Sequence, residues 1–324
     1  MQPFAYERAT TLPAAIAALT DDAAMPLAGG TELINWMKDG IAAPGLLVDI
    51  GGLPGLDRIE ADASGLTLGA LARMSDVAAH AAVRRDYPAI SEALLASASP
   101  QIRNMATIGG NLLQRNRCPY FRAEVELPCN LRKAGSGCAA RAGEDRFAAI
   151  FGWDKDCIAP HASDLAVALS AFDATVHVEG AHGAHHVALA DFYGAAGETA
   201  LRAGEIITAI HVPASAAARR SLYLKIRERR SYEFALVSVA VGLAVDKGRI
   251  RDARLALGGV APKPWRLHDA EKALPGVALA DDDALRRAFA ADFAGARAGR
   301  RNGFKAELAL NAAIKAIRTA GGRS

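Results

Sequence analysis

The chain has 324 residues, 51% of them hydrophobic and 23% charged, with a formal net charge of only +3. That length admits two or three domains with real cores, and the charge balance, without a long Lys/Arg run or a recognition motif, excludes a nucleic-acid binder. No apolar run reaches the roughly 18 residues needed to span a membrane. The start, Met1 to Arg8, lacks the basic-then-apolar layout of a signal peptide, so the expectation is a cytoplasmic protein, or one exported folded beside a partner that bears the signal.

In chain order, an Ala-rich helix is expected over 14–20, after Pro13, and a second from about Thr31 to Asp39 behind the turn Gly29-Gly30. Leu46–Ile50 and Leu66–Gly69 read as short apolar strands. Ser75 reads as the N-cap of a helix to Ala82, and Pro88 opens another to Ser97. From Cys118 to Cys157 periodicity is lost among Pro119, Pro128, Gly135, Gly137, Gly143 and Gly152, and so long an irregular stretch in a compact domain implies a task. Patterning resumes with a helix from Asp164 and strands near 174–178 and 206–212. Residues 213–218 read as a linker. Strands near 222–226, 236–245 and 253–257 and helices over 281–296 and 305–318 complete the chain.

All four cysteines, Cys118, Cys129, Cys138 and Cys157, fall in the irregular stretch with spacing C-x10-C-x8-C-x18-C. Free cysteines otherwise behave as small buried hydrophobes that sit anywhere in a core, so the clustering points to a ligand set. No C-x2–4-C pair of structural zinc and no bacterial ferredoxin spacing is present. Spacing therefore leaves iron–sulfur, zinc and inert or redox thiols open. Arg115, Arg117, Arg132 and Lys133 lie near the thiols and read either as counter-charges or as ordinary surface. The same choice, surface against a subunit contact or anionic cofactor, holds for the clusters Arg219-Arg220, Arg227–Arg230 and Arg297, Arg300, Arg301.

Two glycine loops repeat one logic. In Leu27-Ala28-Gly29-Gly30-Thr31 and Thr107-Ile108-Gly109-Gly110-Asn111 a strand-to-helix turn without side chains lets backbone amides approach a phosphate. Neither is a G-x-G-x-x-G or a P-loop, and a single Gly-Gly turn is as readily structural. Two of them suit a pyrophosphate, which makes FAD the leading ligand.

The strings LAGGTELI, ATIGGNLL, PHASDLAVAL, GEIITAIHVP, YLKIRERRSYEFALVSVA and LALGGVAPKPWR, in this order, resemble the FAD-binding subunit of the molybdenum hydroxylases nearly end to end. The resemblance implies an α+β fold: an FAD-binding domain of the vanillyl-alcohol-oxidase/PCMH type over 1–215 and a smaller flavoprotein C-terminal domain over 216–324. It implies FAD contacts from Pro26, Leu27, Ala28, Gly29, Gly30, Thr31, Glu32, Leu33 and Ile34, from Thr107, Gly110 and Asn111, and from Asp164, Ile207 and Lys225. Asp164 is equally readable as a helix N-cap, and Lys225 as an exposed strand residue. Family members pass from the second glycine loop to the Ser-Asp motif in a few residues, whereas this chain inserts about 115–160. The motifs RCPYF, PCN and GSGCAA resemble the flavoprotein subunit of bacterial periplasmic aldehyde oxidoreductases, which implies a [4Fe-4S] cluster on the four cysteines.

His182, His185 and His186 lie in a Gly/Ala-rich stretch that reads as a hairpin turn, with a divalent-metal site as the alternative. His161, beside the Ser-Asp motif, either touches a cofactor or packs. No catalytic triad or general base is apparent. The implied function is an oxidoreductase subunit that takes electrons from [2Fe-2S] clusters on a small partner, with substrate oxidised on a large molybdenum-cofactor subunit, and passes them through FAD to an external acceptor. A non-catalytic assembly subunit whose four cysteines hold structural zinc is the alternative, and a self-sufficient FAD oxidase a third reading.

Overall fold

The computed structural model describes residues 1–323, so Ser324, the last residue of the expected C-terminal domain, lies outside the described residues. The N-terminal part holds two sheets. Strands β1 (Ala5–Arg8), β2 (Ala24–Leu27) and β3 (Leu46–Asp49) pair in parallel in the order β1-β3-β2. Strands β4 (Ile59–Ala61), β5 (Gly65–Gly69), β6 (Thr175–Gly180), β7 (Gly183–Ala188) and β8 (Ile206–Pro213) form an antiparallel sheet in the order β4-β5-β8-β6-β7. The C-terminal part is an antiparallel sheet, β12-β11-β10-β9, of β9 (Ser221–Ile226), β10 (Val237–Asp246), β11 (Arg249–Gly258) and β12 (Trp265–Arg266). The 18-residue helix Phe304–Gly321 packs its Ala309, Ala313, Ile314 and Ile317 stripe on that sheet. Helices beside the sheets make the chain mixed α and β, as expected.

The two parts share apolar packing. Tyr223, Ala240 and Ala256 of the C-terminal sheet sit in the same core as Leu68, Ile90, Leu165 and Ile210. Residues 213–218 are accordingly no loose linker: Pro213 ends β8, Ala216–Arg219 is a helical turn, and Ala217 and Ala218 are buried. Small side chains, read from sequence as flexibility, are here a close-packing device.

Several boundaries moved for local reasons. The first helix starts at Leu12 because Thr11 caps it and Pro13 occupies its first turn. Ser75 is no cap: the helix Met74–Ala79 begins before it, and a second, Ala81–Asp86, follows. The expected helix over 281–296 is two, Asp282–Ala288, capped by Asp281, and Ala290–Ala294. The hairpin β6-β7 carries the histidines: His182 lies in its exposed turn, while His185 and His186 are strand residues.

The cysteine segment has little regular structure beyond a short 3-10 turn, Ala139–Arg141. The C-terminal domain holds its distal end. Buried Asp145 accepts from the Arg300 and Arg301 amides (2.5 and 3.0 Å), and buried Asn302 donates to the carbonyls of Ala148 and Ala149. Lys305, fully buried, donates to the carbonyls of Phe147, Ala148 and Gly259. The Arg297, Arg300, Arg301 cluster is thus an intramolecular clasp: Arg297 stacks on Trp153 at 4.4 Å and Arg301 pairs with Glu144 at 2.5 Å.

Burial pushes the Lys305 ammonium down to about 7. The unfolded chain then holds that proton more tightly than the folded one, so this residue makes stability rise with pH from about 7 toward the ordinary lysine range near 10.4. Lys305→Met, which strands the Phe147 and Gly259 carbonyls while Asn302 still serves that of Ala148, is expected to cost about 2–3 kcal/mol in denaturant melts and to flatten the rise in stability between pH 7 and 9.

Candidate functional site

Two cavities meet where the domains join. The larger, of about 450 Å³, is lined by both glycine loops. The loops touch: a Cβ on Gly29 would lie 2.0 Å from the Met105 carbonyl oxygen, so glycine is required there by the neighbouring segment as much as by any ligand. Gly30 has φ +70°, a left-handed conformation natural to glycine. Thr107 caps the short helix Ile108–Leu112 by accepting from the Gly110 amide, and Asn111 accepts from Ser163 Oγ at 2.6 Å.

That last bond leads to the Ser-Asp motif. Ser163, not Asp164, caps the helix Asp164–Ala171, accepting from the Ala166 amide at 3.0 Å. Asp164 is thereby left free to act elsewhere. Its carboxylate accepts from Lys225 Nζ and Ser97 Oγ (both 2.8 Å) and from Tyr223 Oη (2.5 Å). Lys225 is no exposed strand residue, since its side chain is only 4% accessible. Burial, with the Asp164 charge beside it, raises the Tyr223 hydroxyl well above its ordinary value.

Of the expected contacts, Pro26, Ala28, Gly29, Gly30, Thr31, Glu32, Leu33, Thr107, Gly110, Asn111, Asp164, Ile207 and Lys225 all line this cavity. Leu27 and Ile34 do not; they pack behind the loop with Leu33, Met37 and Leu47. The loop after β9 brings Arg229, from the cluster read as surface, subunit contact or anionic-cofactor contact, to the cavity, together with Tyr232, Glu233 and Phe234, which sequence reading missed. The available signal was the string RERRSYEF, whose Ser-Tyr-Glu-Phe half carried no reading of its own. Tyr232 has φ +52°, a strained value for a bulky residue.

The second cavity, of about 340 Å³, is lined by all four cysteines. Cys129 and Cys138 face each other across an isolated antiparallel bridge, and the Ala159 amide donates to Cys157 Sγ at 3.4 Å. Burial, and then the other three cysteines, push the Cys157 thiol up to about 12, and burial raises Cys118. Four soft donors around one cavity fit a thiolate-ligated group, whose positive charge would replace the solvation that burial removes. Among the described residues no three His, Cys, Asp or Glu side chains close to the spacing of a single ion.

The basic residues divide. Arg115 sits near Cys129 and Cys157 and stacks on Phe121 at 4.9 Å; its guanidinium is lowered by burial. Arg117 binds Glu32 through two bonds of 2.7 Å, Arg132 donates to the Phe121 carbonyl, and Lys133 is a surface partner of Glu126. His161 lines the cysteine cavity, lies 4.4 Å from the Tyr193 ring and accepts from the Ser163 amide; burial lowers it to about 4, so it is neutral. Arg117, Ala162, Asp164, Glu233 and Phe234 line both cavities.

Comparison with known proteins bears directly on these cavities. Residues 2–215 match the family model of the FAD binding domain in molybdopterin dehydrogenase, and residues 222–320 that of the CO dehydrogenase flavoprotein C-terminal domain. The chain belongs to the FAD-binding subunits of the molybdenum hydroxylases. It is 47% identical over 317 residues, 95% of each chain, to the aldehyde oxidoreductase FAD-binding subunit PaoB of Escherichia coli (strain K12). It is 30% identical over 280 residues to the glyceraldehyde dehydrogenase medium chain of Sulfolobus acidocaldarius, covering 86% of this chain and 83% of that one. Among solved structures, a chain of the reconstituted CO dehydrogenase from Oligotropha carboxidovorans superposes with a TM-score of 0.79 at 27% identity, covering 100% and 99% of the two chains. As a molybdenum-hydroxylase flavoprotein, this is an oxidoreductase subunit of the aldehyde oxidoreductase/xanthine dehydrogenase type. No helix among its described residues is long and apolar enough to cross a membrane.

The buried pair yields a stability test. Lys225→Met leaves the Asp164 carboxylate without its cation and is expected to cost about 3–5 kcal/mol in denaturant melts of the full chain. Adding Asp164→Leu should recover much of that loss, because neither charge then remains buried.

Proposed function

We propose that the chain is the FAD- and [4Fe-4S]-containing electron-transfer subunit of a heteromeric molybdenum-dependent aldehyde oxidoreductase. In this reading a small [2Fe-2S] subunit delivers electrons, a large molybdenum-cofactor subunit oxidises the substrate, and an external acceptor takes the electrons away. The observation that carries it is the four-cysteine cavity sharing a wall with the glycine-loop cavity. When bound, the flavin and the cluster supply the redox chemistry, and the protein supplies binding, orientation and electrostatics.

The chain's own residues take defined roles. Pro26 to Ile34 form the first loop for the FAD diphosphate, with Leu27 and Ile34 supporting it from behind. Thr107, Gly110 and Asn111 form the second loop. Asp164 stands as the acceptor for a nucleotide hydroxyl or amine, held by Lys225, and Ile207 gives an apolar contact. Cys118, Cys129, Cys138 and Cys157 are the cluster ligands.

A cluster is preferred over zinc because the cysteine stretch resembles that of the aldehyde oxidoreductase flavoproteins and its spacing lacks a C-x2–4-C pair. Each thiolate of a four-iron cluster binds a different iron, so the sulfurs stand farther apart than the ligands of one tetrahedral ion. Compartment follows the partners: cytoplasmic if they stay, periplasmic if one carries an export signal.

The purified chain is expected to hold about four irons and four sulfides, with iron–sulfur absorption beneath flavin bands. Cys129→Ser should lose most of the iron while FAD supplied in excess still binds. Stoichiometric zinc without iron in the wild type would overturn the cluster reading.

A further inference from the structure

Glu32 belongs to the first glycine loop and lines its cavity, yet its carboxylate turns to the cysteine segment. Arg117 binds it bidentately at 2.7 Å, and Arg122 reaches Oε1 at 2.6 Å. The Arg115 amide (3.3 Å) and Trp36 Nε1 (2.8 Å) complete the set. Three of these four partner residues belong to the stretch that carries Cys118. Arg122 also donates to the Asn116 carbonyl (3.2 Å), while Asn116 Oδ1 accepts from the Cys118 amide (3.1 Å). The Arg122 amide in turn donates to the Cys118 carbonyl (3.0 Å). Glu32 is thus wired to the backbone on both sides of a cysteine. Burial alone would raise its carboxyl, but the two guanidiniums outweigh burial and hold it below the usual carboxylate range.

We propose that Glu32 couples the two cavities, so that filling the four-cysteine cavity tightens FAD binding at the glycine loops. The inference rests on the cluster reading given above. An irregular segment loses conformational freedom when it is held in one place, and a group ligated at four points removes that freedom in advance. Arg117 and Arg122 then stay on Glu32. With both in place the neighbourhood of the glycine loop carries one net positive charge; without them a bare carboxylate adjoins the site of a diphosphate and repels it. Linkage is reciprocal, so FAD must favour cluster retention by the same factor. Arg117, which also stacks on Phe234 at 4.9 Å in the shared wall, is the shortest physical connection.

The full chain is loaded with iron and sulfide, or stripped by a chelator, and each form is titrated with FAD by quenching of flavin fluorescence. The loaded wild type is expected to bind FAD about tenfold more tightly than the stripped form. In Glu32→Gln the ratio should fall to about one. Arg122→Gln, which leaves the glycine loop untouched and lines neither cavity, should lower it in the same way and stands in if Glu32→Gln fails to fold. Equal affinities of loaded and stripped wild type overturn the proposal, as does a tenfold ratio that persists in the variants. Iron and sulfide analysis separates the two readings: a wild type that takes up no cluster defeats the cluster assignment, whereas a fully loaded one with unchanged FAD affinity defeats the coupling alone.

Discussion

The Asp164 carboxylate is where the architecture closes. It starts a helix of the N-terminal domain, takes its cation and a hydroxyl from β9 of the C-terminal domain, and a second hydroxyl from Ser97 at the end of the helix Pro88–Ala96. A buried ion pair of this kind contributes little net stability, since desolvation offsets most of the attraction. Its contribution is registration: an uncompensated charge penalises every placement of β9 but one. Weaker bonds along the same seam agree with that placement. The Ala89 amide meets Ser221 Oγ at 3.1 Å, and the Tyr223 amide meets Glu92 Oε2 at 2.8 Å. Because Asp164 lines both cavities, fixing it fixes both.

The cysteine insertion obeys a different logic. Its own apolar cluster is small, with Ala140, Ala148 and Ile158 as its buried members. A core of that size cannot offset the entropy of ordering such a stretch. External ties supply the difference: Glu32 at the proximal end, and the Arg300 and Arg301 amides, Asn302 and Lys305 at the distal one. The buried thiols these ties bring together are costly to ionise: that of Cys157 is pushed up to about 12. In the proposed reading a ligated metal group repays that cost, which makes metal binding part of the folding of this segment.

Much of the site was legible because it is encoded locally. Gly29-Gly30, Gly109-Gly110 and Ser163-Asp164 are short motifs whose backbone needs show in the residues themselves, and the four glycines and Asp164 meet at one cavity. What stayed hidden depends on distant partners. Nothing near Arg300, Arg301 or Lys305 reveals that they grip residues 142–149, so the arginine cluster read as surface, subunit contact or anionic-cofactor contact. Ser75 is a good cap by type, but the helix starts a residue earlier, where Met74 is buried in the core. Residues 213–218 looked loose because Ala packs closely and signals nothing. Glu32 belonged to a string read as a phosphate loop, and only its arginines, far along the chain in the cysteine insertion, disclose its second allegiance.

The point of insertion explains why the two cavities adjoin. The second glycine loop and the Ser-Asp motif already touch through Asn111 and Ser163 at 2.6 Å. A segment spliced between two points held together closes a loop whose entropic cost grows only with the logarithm of its length, so the surrounding fold tolerates it. Since both ends of the segment emerge at the rim of the glycine-loop cavity, whatever it encloses is forced against that rim. In the proposed reading the adjacency of the four thiols to the glycine-loop cavity follows from where this segment lies in the chain, and the Glu32 contacts accompany it: Arg115, Arg117 and Arg122, a few residues past the second loop, lie against the first.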